Sequence, residues 1–202
     1  MARLLRALMV AAMGALLIGG CERANGAGAT PEAPVMVVDT IHPPEISLAR
    51  FREELAPPAE SLPGGESSIE TLTARWVAAV ESHDTATIRR LVLDRAEFAW
   101  LYYPASAYSR RPLYQPPELV WFRLQAGSEK GIVRVLRRLG GTDMGYRGVA
   151  CPAPPRLEGT NRIWEYCEVR RAEAGEVRSA MLFGGILERA GRFKFISYAN
   201  QY

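Results

Sequence analysis

Histidine, lysine and cysteine are scarce in this chain: two, two and three residues among 202. The two histidines, His42 and His83, lie far from one another and from Cys151 and Cys167, at spacings that match no zinc framework. No metal and no other cofactor is therefore expected. Also missing are a glycine-rich phosphate loop, a nucleophile elbow and a zinc-protease helix. The longest apolar run, Ala7–Ile18 with only Gly14 inside it, is too short to span a bilayer comfortably. The shortage of lysine is made up by arginine, which reads as genome base composition rather than function. With a formal net charge of +3, the balance of charge gives no argument for a nucleic-acid partner.

What is present begins at the N-terminus. Arg3 and Arg6 precede the apolar run, and Gly19, Gly20 and Cys21 follow it, which is the layout of a secretory signal. The segment Ile18-Gly19-Gly20-Cys21 resembles the lipobox of bacterial lipoproteins. That resemblance implies cleavage after residue 20, acylation of the Cys21 sulfur and new amine, and a membrane partner held through the lipid. Glu22 in place of aspartate after the cysteine implies the outer membrane, with the domain facing the periplasm. The competing reading is an ordinary signal peptide whose cysteine is incidental. Loss of Arg3 and Arg6 leaves 23 basic against 22 acidic side chains.

Residues 21–66 form a Pro/Gly/Ala-rich stretch with eight acids and three arginines. That composition predicts a semi-stiff linker rather than a packed unit. Within it, ISLARFREEL (46–55) spaces Leu48, Phe51 and Leu55 for a short helix capped by Ser47, free in the linker or docked on the domain.

Residues 67–202 carry the fold. Ser67 and Glu70 have capping-box spacing, and Ile69, Leu72, Trp76 and Val80 share one helical face. Asp84 is placed to cap a second helix through Ile88 and Val92. Pro116-Pro117 open another, which Gly127 is expected to break, with Ser128 capping a further helix to Leu139. Thereafter MGYRGVAC, RIWEYCEVR, VRSAMLFGGILER and RFKFISYAN read as antiparallel strands, with a bend at Gly184-Gly185. The expected class is α+β, with N-terminal helices on the concave face of a curved antiparallel sheet. The helix pair around VESHDTATIRRLV and the terminal GRFKFISYANQY resemble the NTF2-like, or SnoaL-like, superfamily, which implies a cone-shaped domain. That superfamily holds enzymes and binding proteins alike, so the fold carries no function by itself.

Candidate chemistry is sparse. Two cysteines remain after Cys21, and in an oxidising compartment Cys151 and Cys167 are expected to pair. A hairpin turning near Pro155 would set Cys151 against Arg162, however, leaving Cys167 ~17 Å along the strand. His83-Asp84 is a histidine beside a carboxylate, although Asp84 already has a capping role. Glu97 and Tyr102 are the candidate acid-base pair, if Glu97 is buried among aromatics. Trp76, Phe98, Trp121 and Tyr198 are candidate pocket-lining residues, with Tyr103 and Glu165 near the mouth; ordinary core packing is the alternative for the aromatics. Lys130, Arg134, Arg137 and Arg138 form a basic stripe on one helix face, fitted to an anionic surface or simply solvated. The leading expectation is a non-enzymatic envelope lipoprotein binding a small apolar ligand or an envelope protein. The alternatives are a dehydratase- or isomerase-type enzyme and a homodimeric scaffold using Trp164 and Tyr166.

Overall fold

The computed structural model describes residues 42–202. Signal, lipobox and Cys21 lie outside the described residues. The chain folds as α+β: helices α1 (Pro44–Arg52), α2 (Ile69–Glu81), α3 (Thr85–Arg90), a single turn α4 (Arg95–Glu97) and α5 (Pro117–Leu139), then seven strands. A π-helical turn, Phe98–Tyr102, continues α4.

Helix α2 is capped by Ser68 and not Ser67: the Ser68 hydroxyl accepts the Thr71 N–H at 3.0 Å. One residue of frame decides which serine is extended enough to cap. Asp84 caps α3 as expected, accepting from the Thr87 N–H at 2.9 Å. His83 takes a left-handed φ of 55° between α2 and α3, with its ring against Gly140 and Gly141, while the Asp84 carboxylate is engaged by the Thr87 N–H.

The expected break at Gly127 does not occur, and α5 runs unbroken for 23 residues. Its small residues serve tertiary approach. A Cβ on Gly131 would stand 1.7 Å from the Tyr198 carbonyl oxygen, and the Ser128 hydroxyl accepts the Tyr198 N–H at 3.0 Å. The C-terminal segment thus lies directly on α5, which offsets the ~1 kcal/mol that a mid-helix glycine costs.

Two of the four expected strands, RIWEYCEVR and VRSAMLFGGILER, are each divided into two. One sheet has the order β1 (Tyr146–Ala150), β4 (Glu168–Glu173), β5 (Glu176–Ala180); the other has β2 (Arg156–Glu158), β3 (Asn161–Trp164), β6 (Ile186–Arg189), β7 (Arg192–Phe195). All named pairs are antiparallel. β3 and β4 are parted at 165–167, and β5 and β6 at 181–185, where Gly184 and Gly185 sit as expected. A side chain on Gly184 would meet the Ser197 hydroxyl at 2.7 Å. The hairpins β4–β5 and β6–β7 turn on Ala174-Gly175 and Ala190-Gly191, all four residues at positive φ, as a two-residue turn matching strand twist requires.

The first hairpin turns at Gly159-Thr160 rather than near Pro155, with Glu158 opposite Asn161. In the other sheet Ala150 of β1 faces Glu168 of β4, and one step further along this pair Cys151 lies across from Cys167. Their Cα atoms are 4.1 Å apart and the disulfide is formed. The loop from 151 to 155 therefore need not fold back across the sheet.

The four-stranded sheet is buried on both faces. Alternation sends Trp164, Ile186 and Phe195 toward a first core with Trp76, Leu72 and Val80 of α2, and Ile163, Leu187 and Ile196 toward a second with Phe98, Leu93 and Leu62. The second core includes residues expected in the linker. Phe51 of α1 meets Phe98 edge-on at 5.6 Å, Arg52 donates two hydrogen bonds to the Ala99 carbonyl, and Leu62 is buried. Glu66 forms a bridge with Phe193 on the outer edge of β7. The folded unit therefore begins well before Ser67. The prolines of 57–63 are compatible with packing because an extended segment needs few internal hydrogen bonds once its apolar side chains have a surface.

Candidate functional site

A groove of about 400 Å³ runs between α3 and α5. Ile88 and Val92 form one wall, Ile132, Val133 and Leu136 the other, and Tyr198 lies beneath. The helical spacing of Ile132, Val133 and Leu136 places all three on the side of α5 that meets α3. Tyr198 is fixed there because its hydroxyl donates to the Ile88 carbonyl at 2.6 Å, a bond kept from water that holds its pKa well above the ordinary tyrosine value by burial. Val133 is 57% exposed, so the groove opens to solvent. Its charged lining groups are Arg89 and Glu129.

Glu97 is fully buried and both carboxylate oxygens are engaged. Oε1 accepts from the Lys194 ammonium at 2.7 Å, and Oε2 accepts the Asp94 N–H at 2.9 Å in a capping box. Burial pushes its pKa up, against the Lys194 and Asp94 hydrogen bonds, which pull it down. Tyr102 is elsewhere: burial raises its pKa too, with Glu158 next in effect, and it packs on Phe98 at 6.0 Å. The two candidate side chains thus have different charged neighbours, Lys194 and Asp94 for Glu97, Glu158 and Arg156 for Tyr102. Glu158 is tied to Arg156, which also reaches Glu165 at 3.2 Å.

Compared with known proteins, the chain matches no family model, no curated protein and no solved structure.

The four candidate lining aromatics divide between the two faces of the sheet. Trp76 and Tyr198 belong to the first core, stacked at 6.2 Å; Phe98 and Trp121 belong to the second, 5.1 Å apart. Of the four, Tyr198 lines the groove. In the basic stripe, Arg134 donates to the Asn200 carbonyl at 2.8 Å and Arg138 lies over the Tyr202 ring at 5.1 Å, so both hold the C-terminal segment. Lys130 and Arg137 stay exposed. Trp164 and Tyr166 do not share a face: Tyr166, with φ of 60°, lies in the break after β3 and is 68% exposed, whereas Trp164 packs on the first core and donates to Glu188. Among the described residues no cluster of three or more His, Cys, Asp or Glu is arranged to hold a metal ion, and no helix is long and apolar enough to cross a membrane.

Lys194 was not singled out by sequence reasoning. Its signal is there in RFKFI, where a lone lysine occupies an inward position of an apolar strand and so requires a buried counter-charge.

Proposed function

We propose that the chain is a lipid-anchored envelope protein whose NTF2-like domain binds a small apolar ligand. The observation that carries this reading is the groove between α3 and α5: a concavity of about 400 Å³, within the range of small-molecule sites, with apolar walls and a hydroxyl-bearing floor. Support for the cone-type fold is the order of elements, in which the α2–α3 pair and the long α5 precede a bent antiparallel sheet covered by α2. Support for the envelope is the lipobox-like sequence at Cys21 together with the Cys151–Cys167 disulfide, since such bonds persist in oxidising compartments. Glu97 is a weaker starting point for catalysis, because a carboxylate held by an ammonium and a backbone N–H has no free oxygen to offer a substrate.

The test is titration of the full chain with a fluorescent long-chain alcohol, whose emission rises on leaving water. Saturable binding is expected in the wild type. Val133→Asp, at an exposed position, should weaken it by about tenfold, the order of one buried apolar contact replaced by a charge. Equal binding by the variant would reject the groove.

A further inference from the structure

A second cleft, also of about 400 Å³, lies along the outer edge of β7. Two flanking segments pair with this edge, Glu66 with Phe193 and Val92 with Phe195, and Lys194 falls between them. Lys194 lines the cleft although only 4% of its surface is exposed. Its ammonium has three N–H donors, and among the described residues one is used, by Glu97. The other two have no protein partner among the described residues. Around it the cleft is walled by Arg75 from α2 and by Arg89 and Arg90 from the end of α3. Arg75 is paired with Glu66, and Asp94, whose carboxylate caps the Glu97 N–H, is the acid lining the cleft. Arg89 and Arg90 have no carboxylate within salt-bridge distance among the described residues; Arg90 donates to the Thr87 hydroxyl at 2.6 Å.

The geometry points to an oxyanion site in this cleft, fitted to the phosphate of a small phosphate monoester: the buried Lys194 supplies its floor, and Arg75, Arg89 and Arg90 its walls. Donors arriving from α2, α3 and β7 call for an acceptor with more than two oxygens, which favours a tetrahedral anion over a carboxylate. Guanidinium forks match phosphate oxygens in pairs, while the ammonium acts as a point charge beneath them. Leu91, Val92 and Pro63, also in the lining, leave apolar surface for the organic part of the ester. The cleft shares Arg89 and Val92 with the α3–α5 groove but has Arg75, Arg90 and Lys194 to itself, so substitutions at these three test the site apart from the groove.

The test uses the full chain and inorganic phosphate as the probe, followed by calorimetry against sodium chloride of equal ionic strength. One saturable site is expected. Arg90→Glu, at an exposed position outside the groove, should lower its affinity by about tenfold while the chain stays folded by far-UV circular dichroism. A second variant, Glu97→Gln with Lys194→Met, removes the floor ammonium without leaving a bare buried carboxylate and should also abolish the heat. No saturable heat up to about 10 mM phosphate, or heat unaltered in the arginine variant, overturns the site. The ester's source is settled by vesicles, using the chain with Cys21→Ser so that adsorption does not report acylation. Sedimentation with phosphatidic acid vesicles but not with phosphatidylglycerol at equal charge makes the ligand a lipid headgroup. Phosphate binding without vesicle binding makes it a soluble ester.

Discussion

Lys194 and Glu97 come from distant parts of the chain, a strand and a capped turn, and meet at 2.7 Å with almost no contact with water. Taking both charges out of water is costly, so the pair adds little net stability, but each is needed once the other is there. Lys194→Met alone should cost about 3–5 kcal/mol in urea unfolding, whereas replacing both by apolar residues of similar volume should be near neutral. A single variant as stable as the wild type would mean that Glu97 has another partner. The pair also gives stability an unusual pH dependence. Glu97 has its pKa raised above the ordinary 4.5, mainly by burial, so the native state holds this proton more tightly than the unfolded chain does. Its contribution is fully present below about pH 4.5 and is lost as pH rises through the folded pKa, opposite to the usual salt-bridged carboxylate. The stability of wild type relative to Glu97→Gln should therefore decline from about pH 4 to pH 7; a difference that grows over this interval would contradict the direction.

Helix α5 carries the clearest prediction at the level of elements. Alanine is the better helix former by ~1 kcal/mol, so Gly131→Ala would stabilise an isolated α5. In the folded chain the new methyl would fall 1.7 Å from the Tyr198 carbonyl oxygen, backbone that cannot swing aside. Overpacking of this kind should make Gly131→Ala less stable by about 1–3 kcal/mol, with far-UV helicity retained; a rise in melting temperature would show that the C-terminal segment does not press on α5. The same helix marks where sequence was readable and where it was not. The apolar faces of α2 and α3 follow directly from the spacing of Trp76 and Ile88, and the Asp84 cap from its position. Gly127-Ser128 looks locally like a stop and a new start, because propensity does not register the neighbour that those small residues admit. The strands show a similar limit: apolar alternation located RIWEYCEVR and VRSAMLFGGILER, but only the pairing partners reveal the breaks at 165–167 and 181–185. The register of the β2–β3 hairpin depended on which loop residues turn. Gly159, at φ of 60°, competed there with the more conspicuous prolines of 152–155.

At the scale of the whole molecule, the two-faced sheet was hidden because the layer covering its second face comes from a segment whose composition argues for a linker. Phe51 and Leu62 are few among many prolines and glycines, yet each is buried once Phe98 and Leu93 give it a surface. On the proposed envelope reading the three cysteines divide the tasks of anchor and staple, and each can be tested separately. Cys151–Cys167 closes a loop with a sequence separation of 16 inside the domain. In the chain-entropy model such a loop contributes ~3 kcal/mol, so the pair Cys151→Ser, Cys167→Ser should lose about that much stability while remaining with the membrane fraction. Cys21 is expected to act only as the anchor, where several acyl chains hold far more firmly than one. Cys21→Ser should move the protein into the soluble periplasmic fraction with its disulfide intact, read by the absence of labelling with a thiol reagent until a reductant is added. Continued sedimentation of the Cys21→Ser protein with membranes would refute lipid anchoring at this residue, and labelling without reductant would refute the oxidised pair, each without touching the other.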